Sequence, residues 1–160
     1  MAKVELGFSG ERFIYLPIPM IDLMEDSPLT GDLYLYSMGY FSRASHHYIN
    51  RPTGCDEFLF IYCKEGCGWI ELYGKRQNLE ANQFIILPRN IPHAYGADET
   101  SPWTIYWIHF RGRKFCIPTD EIKLLGQHNY FDIGVAYGVC SILGMDDQVF
   151  ARGLKTYEPL

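Results

Sequence analysis

The residues of this chain best suited to chemistry centre on one histidine. His93 ends the stretch Pro88-Arg-Asn-Ile-Pro-His93, directly after the short apolar run 83–87. A turn bounded by prolines is stiff, so it can hold an imidazole in place for proton transfer or metal binding. A metal site needs three or four such donors to converge, with further groups to orient them. The candidate partners are His47 or His109 with Glu57. Adjacent His46 and His47 on a strand would point to opposite faces, so at most one of them could join. The segment 53–59 offers Cys55 and Glu57 but no His-x-His pair, which leaves a catalytic metal site poorly supported. Nucleophilic catalysis has less support still, because no Ser, Cys or carboxylate is placed beside His93 by a nucleophile-elbow pattern. Cys63-x-x-x-Cys67 has no matching second pair, and an odd total of 5 cysteines reads as reduced thiols that pack.

The elements that must position these groups are short strands. Strand signals fall at 33–37, 48–50, 57–63, 68–73, 83–87 and 103–110, separated by turns rich in Gly, Pro and Asn. The stretch 79–110 reads as a hairpin that holds His93 and Tyr95 beside Trp107. By alternation Trp103, Ile105, Trp107 and His109 share one face, so if Trp107 points inward then Ile105 and His109 do too. Strands of this length and spacing indicate an all-β sandwich or barrel, and a small barrel with bulky inward residues either fills itself or holds one ligand.

Two flanking segments differ from this pattern. Residues 1–32 form an arm in which Tyr15-Leu-Pro-Ile-Pro-Met20 is expected to be an extended apolar patch rather than a helix, either an edge strand on the core or a lid over a pocket. The tail 113–160 is expected to be short and partly helical, around 120–125 and 145–154, with a glycine-interrupted apolar run at 133–143 that packs on the barrel or against another subunit.

Composition bounds the function. A chain of 160 residues is one domain by length, and 48% hydrophobic with 21% charged residues excludes disorder. The net charge of -5 argues against a nucleic-acid surface, which needs concentrated Lys and Arg. The first residues lack the apolar core of a signal peptide, and no run approaches the roughly 18 apolar residues of a membrane span. A cytoplasmic protein without membrane contact is expected.

The segment 82–93 has the spacing of the second conserved motif of cupin barrels, with Asn82 and Asn90 in place of the usual glycines. Asparagine is the substitute best able to adopt the left-handed backbone such turns use. A more specific likeness then follows. Arg51-Pro-x-Gly54, Glu65-Gly-x-Gly68, residues 88–96 as PRNIPHAYG, Pro102-Trp103 and Trp107-Ile-His-Phe110 together resemble the N-terminal effector-binding and dimerisation domain of AraC-type transcriptional regulators. The resemblance implies a cupin-like jelly-roll barrel over 33–112 that binds a small effector, often a sugar, with an N-terminal arm able to close on it. It implies a homodimer, and DNA contact only through a separate C-terminal domain that this chain does not contain. It places Arg51 at a position that hydrogen-bonds sugar hydroxyls, and Tyr95 and Trp107 at aromatic positions lining the pocket. Ser37 falls at a hydroxyl position, and Ile105 replaces a pocket histidine, so one polar contact becomes apolar. His93 is left as a structural or polar pocket residue. A non-enzymatic sensor without cofactor or metal is the leading expectation, and a metal-dependent cupin enzyme is the alternative.

Overall fold

The computed structural model describes residues 3–113 of the chain. The expected helical tail, with the dimer contact it would provide, lies beyond residue 113 and so outside the described residues. In chain order the elements are β1 (Arg12–Tyr15), α1 (Ile18–Asp26), β2 (Tyr34–Phe41), β3 (Tyr48–Arg51), β4 (Phe58–Glu65), β5 (Cys67–Leu72), β6 (Lys75–Glu80), β7 (Gln83–Leu87), β8 (His93–Ala97) and β9 (Thr104–Arg111). The strands form two antiparallel sheets, β1-β2-β9-β4-β7 and β3-β8-β5-β6. The architecture is an all-β, cupin-like jelly roll.

The inner faces meet in one core. Leu59, Ile61 and Cys63 of β4, Ile85 and Leu87 of β7, and Ile105 and Trp107 of β9 pack against Ile70 of β5, Leu79 of β6 and Tyr95 of β8. Alternation along β9 holds as expected: Trp103, just before the strand, and Ile105, Trp107 and His109 within it are all buried. Tyr106 between them is exposed, as a strand with one wet face requires.

The expected hairpin between 83–87 and 103–110 is not formed. Strands β7 and β9 both pair with β4, on its two sides, while β8 between them crosses to the other sheet. The crossing is fixed at the turn after β7, where Asn90 has φ 59° and its N–H donates to the Cys55 carbonyl at 2.6 Å. Asn82 is likewise left-handed, at φ 66°, so both asparagines do the backbone work that the motif assigns to glycine. Gly54 lies against the same turn: a Cβ there would fall 2.5 Å from the Ile91 nitrogen. The segments 52–57 and 88–92 are therefore clasped together at one end of the barrel. His93 and Tyr95 face Trp107 across the sandwich and not along a shared ladder.

A second correction concerns the arm. Residues 18–20 open a helix instead of continuing an extended patch. Pro19 stands in its first turn, where the fixed φ of proline is already helical and its missing N–H would have had no intrahelical partner. Only Ile21 of this helix is buried. The preceding strand β1 adds to the edge of β2 in register Tyr15↔Ser37, which brings the Tyr15 ring to 6.3 Å from Trp107.

Candidate functional site

Between the two sheets lies a cavity of about 120 Å³. Its polar end is formed by Arg51, Tyr95 and His109, and its walls by Ile49, Leu59, Ile61 and Ile105 with the rings of Phe41 and Trp107. His47 closes another side, and Glu5, Leu6 and Tyr15 reach the cavity from the N-terminal segment. That segment is held down by Val4, which exchanges backbone hydrogen bonds with His46 and Tyr48 at 3.0 Å, and by Phe8, whose ring is 5.2 Å from His47.

Strand pairing explains why these side chains meet. In the second sheet Arg51 is opposite His93 and Ile49 opposite Tyr95, so all four project to the same inner face. In the first sheet Trp107 stands between Ile61 on β4 and Gly39 on β2, and His109 stands between Leu59 and Ser37.

Burial sets the protonation states. His47 is pushed down to about 4 by burial, so it is neutral at pH 7. The Trp103 indole N–H donates to its Nδ1 at 3.1 Å, which leaves the ring proton on Nε2. His109 is also pushed down to about 4, first by burial and then by the nearby Arg51 cation and His93. A neutral His109 makes its 3.9 Å approach to Glu57 a polar contact and not an ion pair. His93 is lowered chiefly by burial, and its Nδ1–H donates to the Ile91 carbonyl at 2.8 Å. The Tyr95 hydroxyl is driven up to about 12 by burial, only partly offset by Arg51, and stays protonated. Among the described residues the one cationic side chain lining the cavity is thus Arg51, among neutral rings.

A family model described as the AraC-like ligand binding domain matches residues 34–134, more than half of the chain. The chain belongs to that family. It is 37% identical over 103 residues to the MmsAB operon regulatory protein of Pseudomonas aeruginosa, covering 61% of this chain and 33% of that protein. It is 33% identical over 63 residues to the Msm operon regulatory protein of Streptococcus mutans, covering 39% of this chain and 23% of that protein. The matched region therefore spans a third or less of the length of these relatives. Among solved structures, the cupin domain of an XRE family transcriptional regulator from Enterobacter cloacae is similar at TM-score 0.42 and 13% identity, over 66% of this chain and 100% of that one. At that level the likeness supports no statement about function.

The six site residues expected for this AraC-like domain fall into two groups. Arg51, Tyr95, Trp107 and Ile105 share the cavity wall. Ser37 and His93 are buried beside it without lining it, Ser37 opposite His109 in the ladder and His93 opposite Arg51. His47 and His109, weighed from sequence only as metal partners, are cavity residues in their own right. The signal for His109 was its place in the alternating row with Trp107. For His47 there was none, because it sits in a bridge at the end of an irregular loop.

Cys55, Glu57 and His109 each place one ligand atom within 4.8 Å of the others. Cysteine, carboxylate and imidazole suit zinc in kind. Their setting does not suit a cation. Arg111 Nη2 already holds Glu57 Oε1 at 2.6 Å, burial pushes the Cys55 thiol up and so disfavours the thiolate, and Arg51 stands beside both Cys55 and His109. The cluster is better described as a polar network that ties Glu57 to Arg111 and Asp56 to both Arg89 and Arg111.

Proposed function

We propose that this AraC-like domain is an effector sensor that takes a small, hydroxylated, carbohydrate-like molecule into the cavity between its sheets. The observation that carries this reading is the meeting of Arg51 and Trp107 in one cavity from opposite sheets. Arg51 supplies a planar fork of donors for ligand oxygens, and Trp107 a flat apolar face for the C–H side of a ring. The domain acts in the cytoplasm as a homodimer and carries out no catalysis. DNA contact belongs to a separate domain outside this chain, in keeping with the net charge of -5.

The mechanism is linkage. Ligand binding would order the segment 3–8 and Tyr15 at the cavity mouth, and a ligand acts only through its different affinities for the two arrangements. Thermal-shift measurement against monosaccharides and their derivatives tests the reading, with a rise in melting temperature expected for one narrow group of compounds. Absence of any stabilisation across the panel would count against it. A metal-dependent cupin enzyme is the second reading: it rests on the convergence of Cys55, Glu57 and His109 and is opposed by the Arg111 and Arg51 cations beside them. Stoichiometric transition metal in the purified protein would support it.

A further inference from the structure

Resting on the effector-site reading, the cavity also says something about the charge of its occupant. Among the described residues Arg89, Arg111 and Arg113 each pair with a carboxylate, whereas Arg12, Arg43, Arg51 and Arg76 form no ion pair, and of these Arg51 alone lines the cavity. Its neighbours are Tyr95, Cys55, His93 and His109. Among the described residues the lining contains one carboxylate, Glu5, on the exposed N-terminal segment, and it makes no ion pair with Arg51. A half-buried guanidinium that faces a cavity walled by Ile49, Leu59, Ile61 and Ile105 is screened less than one on the open surface, so the field at that end of the cavity favours an anion.

The hydrogen-bonding inventory points the same way. His47 presents its Nε2–H, because its Nδ1 is taken by Trp103. With Arg51 it makes this part of the lining one of donors. A neutral polyol brings a donor with each hydroxyl and would need as many acceptors. A carboxylate only accepts, and its two oxygens match the guanidinium fork in a charge-assisted pair about twice as strong as a neutral one. Size sets the remaining bound. A cavity of about 150 Å³ holds benzene, so one of about 120 Å³ admits a small acid with the rest of its skeleton reaching toward the mouth at Leu6 and Tyr15.

We infer that the effector is a small hydroxylated carboxylate, of the sugar-acid or hydroxy-acid class, whose carboxylate pairs with Arg51 while its carbon skeleton lies on Trp107. The test uses matched pairs that differ only in the acid group: galacturonate with galactose, gluconate with sorbitol, and lactate with propane-1,2-diol. Thermal shift and titration calorimetry are run on the full chain, on Arg51→Gln, and on Arg51→Lys, which keeps the charge but loses the fork. In at least one pair the acid is expected to bind about tenfold or more tighter than its neutral partner. Arg51→Gln should remove that advantage and Arg51→Lys should retain part of it. A neutral partner that binds as well as its acid, or an acid preference that survives Arg51→Gln, overturns the carboxylate assignment and leaves the effector-site reading standing. Stabilisation by no member of any pair overturns both.

Discussion

Gly39 and Trp107 stand directly opposite each other in the β2/β9 ladder, and a Cβ on Gly39 would fall 2.4 Å from Trp107 Cζ2. The indole therefore lies across the backbone of the neighbouring strand, in space that only glycine leaves open. That position sets the ring's tilt against Phe41 and Tyr15, at 5.6 Å and 6.3 Å, and so shapes the cavity wall. Gly39→Ala must move the ring or bend β2. The expected cost is about 1–3 kcal/mol of stability in urea unfolding, from overpacking. A shift in tryptophan emission and loss of effector-induced stabilisation should accompany it. Unchanged ligand response in a folded Gly39→Ala protein would mean that the indole does not bear on the ligand.

How much of this was legible beforehand depended on burial pattern. The inward row Trp103, Ile105, Trp107 and His109 followed from simple alternation because β9 is a long strand with one wet face. The left-handed turns at Asn82 and Asn90 could be read because few residue types tolerate that backbone. Strand β6, Lys75–Glu80, was missed because only Leu79 of it is buried and the rest reads as a charged turn. Strand β1 is exposed at every position and carries no alternation at all. The helix Ile18–Asp26 was hidden by prolines that suggested an extended chain but stand where a helix begins. The crossing of β8 between sheets was invisible because it depends on hydrogen bonds such as Asn90 to Cys55, which no local pattern encodes. Four of the six residues named through the family likeness line the cavity, while the place of His47 in it needed the fold.

Trp103 and His47 offer a second test. Gly68 gives Trp103 its place, since a Cβ there would overlap the indole, and the ring's N–H then reaches His47 Nδ1 at 3.1 Å. Trp103→Phe keeps most of the packing but leaves Nδ1 buried without a donor. A loss of about 1–3 kcal/mol is expected for that unsatisfied group, over and above the smaller ring. His47→Phe in the Trp103→Phe background should recover part of the loss, because both polar partners are then gone. Additive losses in the double variant would show that the contact does not matter for stability.

The Glu57 network separates the sensor from the enzyme reading. Glu57 is largely buried, and its carboxylate is compensated by Arg111 at 2.6 Å. Arg111→Met is expected to destabilise by about 3 kcal/mol, because it strands a buried carboxylate. If a metal held the site instead, Cys55→Ser would lower metal content and stability together. Elemental analysis is expected to find no stoichiometric transition metal in the wild-type protein, and Cys55→Ser should change the melting temperature by no more than an ordinary buried thiol substitution.

Acid should weaken the fold through its cavity histidines. His47 and His109 are held at about 4 in the folded chain, against about 6.5 when unfolded. Below pH 6.5 the unfolded state takes up protons that the folded state refuses, so stability rises with pH across this window. Their contribution is complete above pH 6.5 and is lost as pH falls from 6.5 to 4, by an amount of order 3 kcal/mol for each at the limit. His93, lowered by the same burial, adds to the slope. Urea unfolding between pH 7.5 and 4.5, a range of about three units chosen to span the shift, measures this. His109→Gln should flatten the profile by roughly one proton's worth of slope, and a flat wild-type profile would mean that these rings titrate normally. Because Arg51 is among the causes that hold His109 neutral, Arg51→Gln should move the His109 titration upward, and NMR titration of its ring protons reads that shift directly.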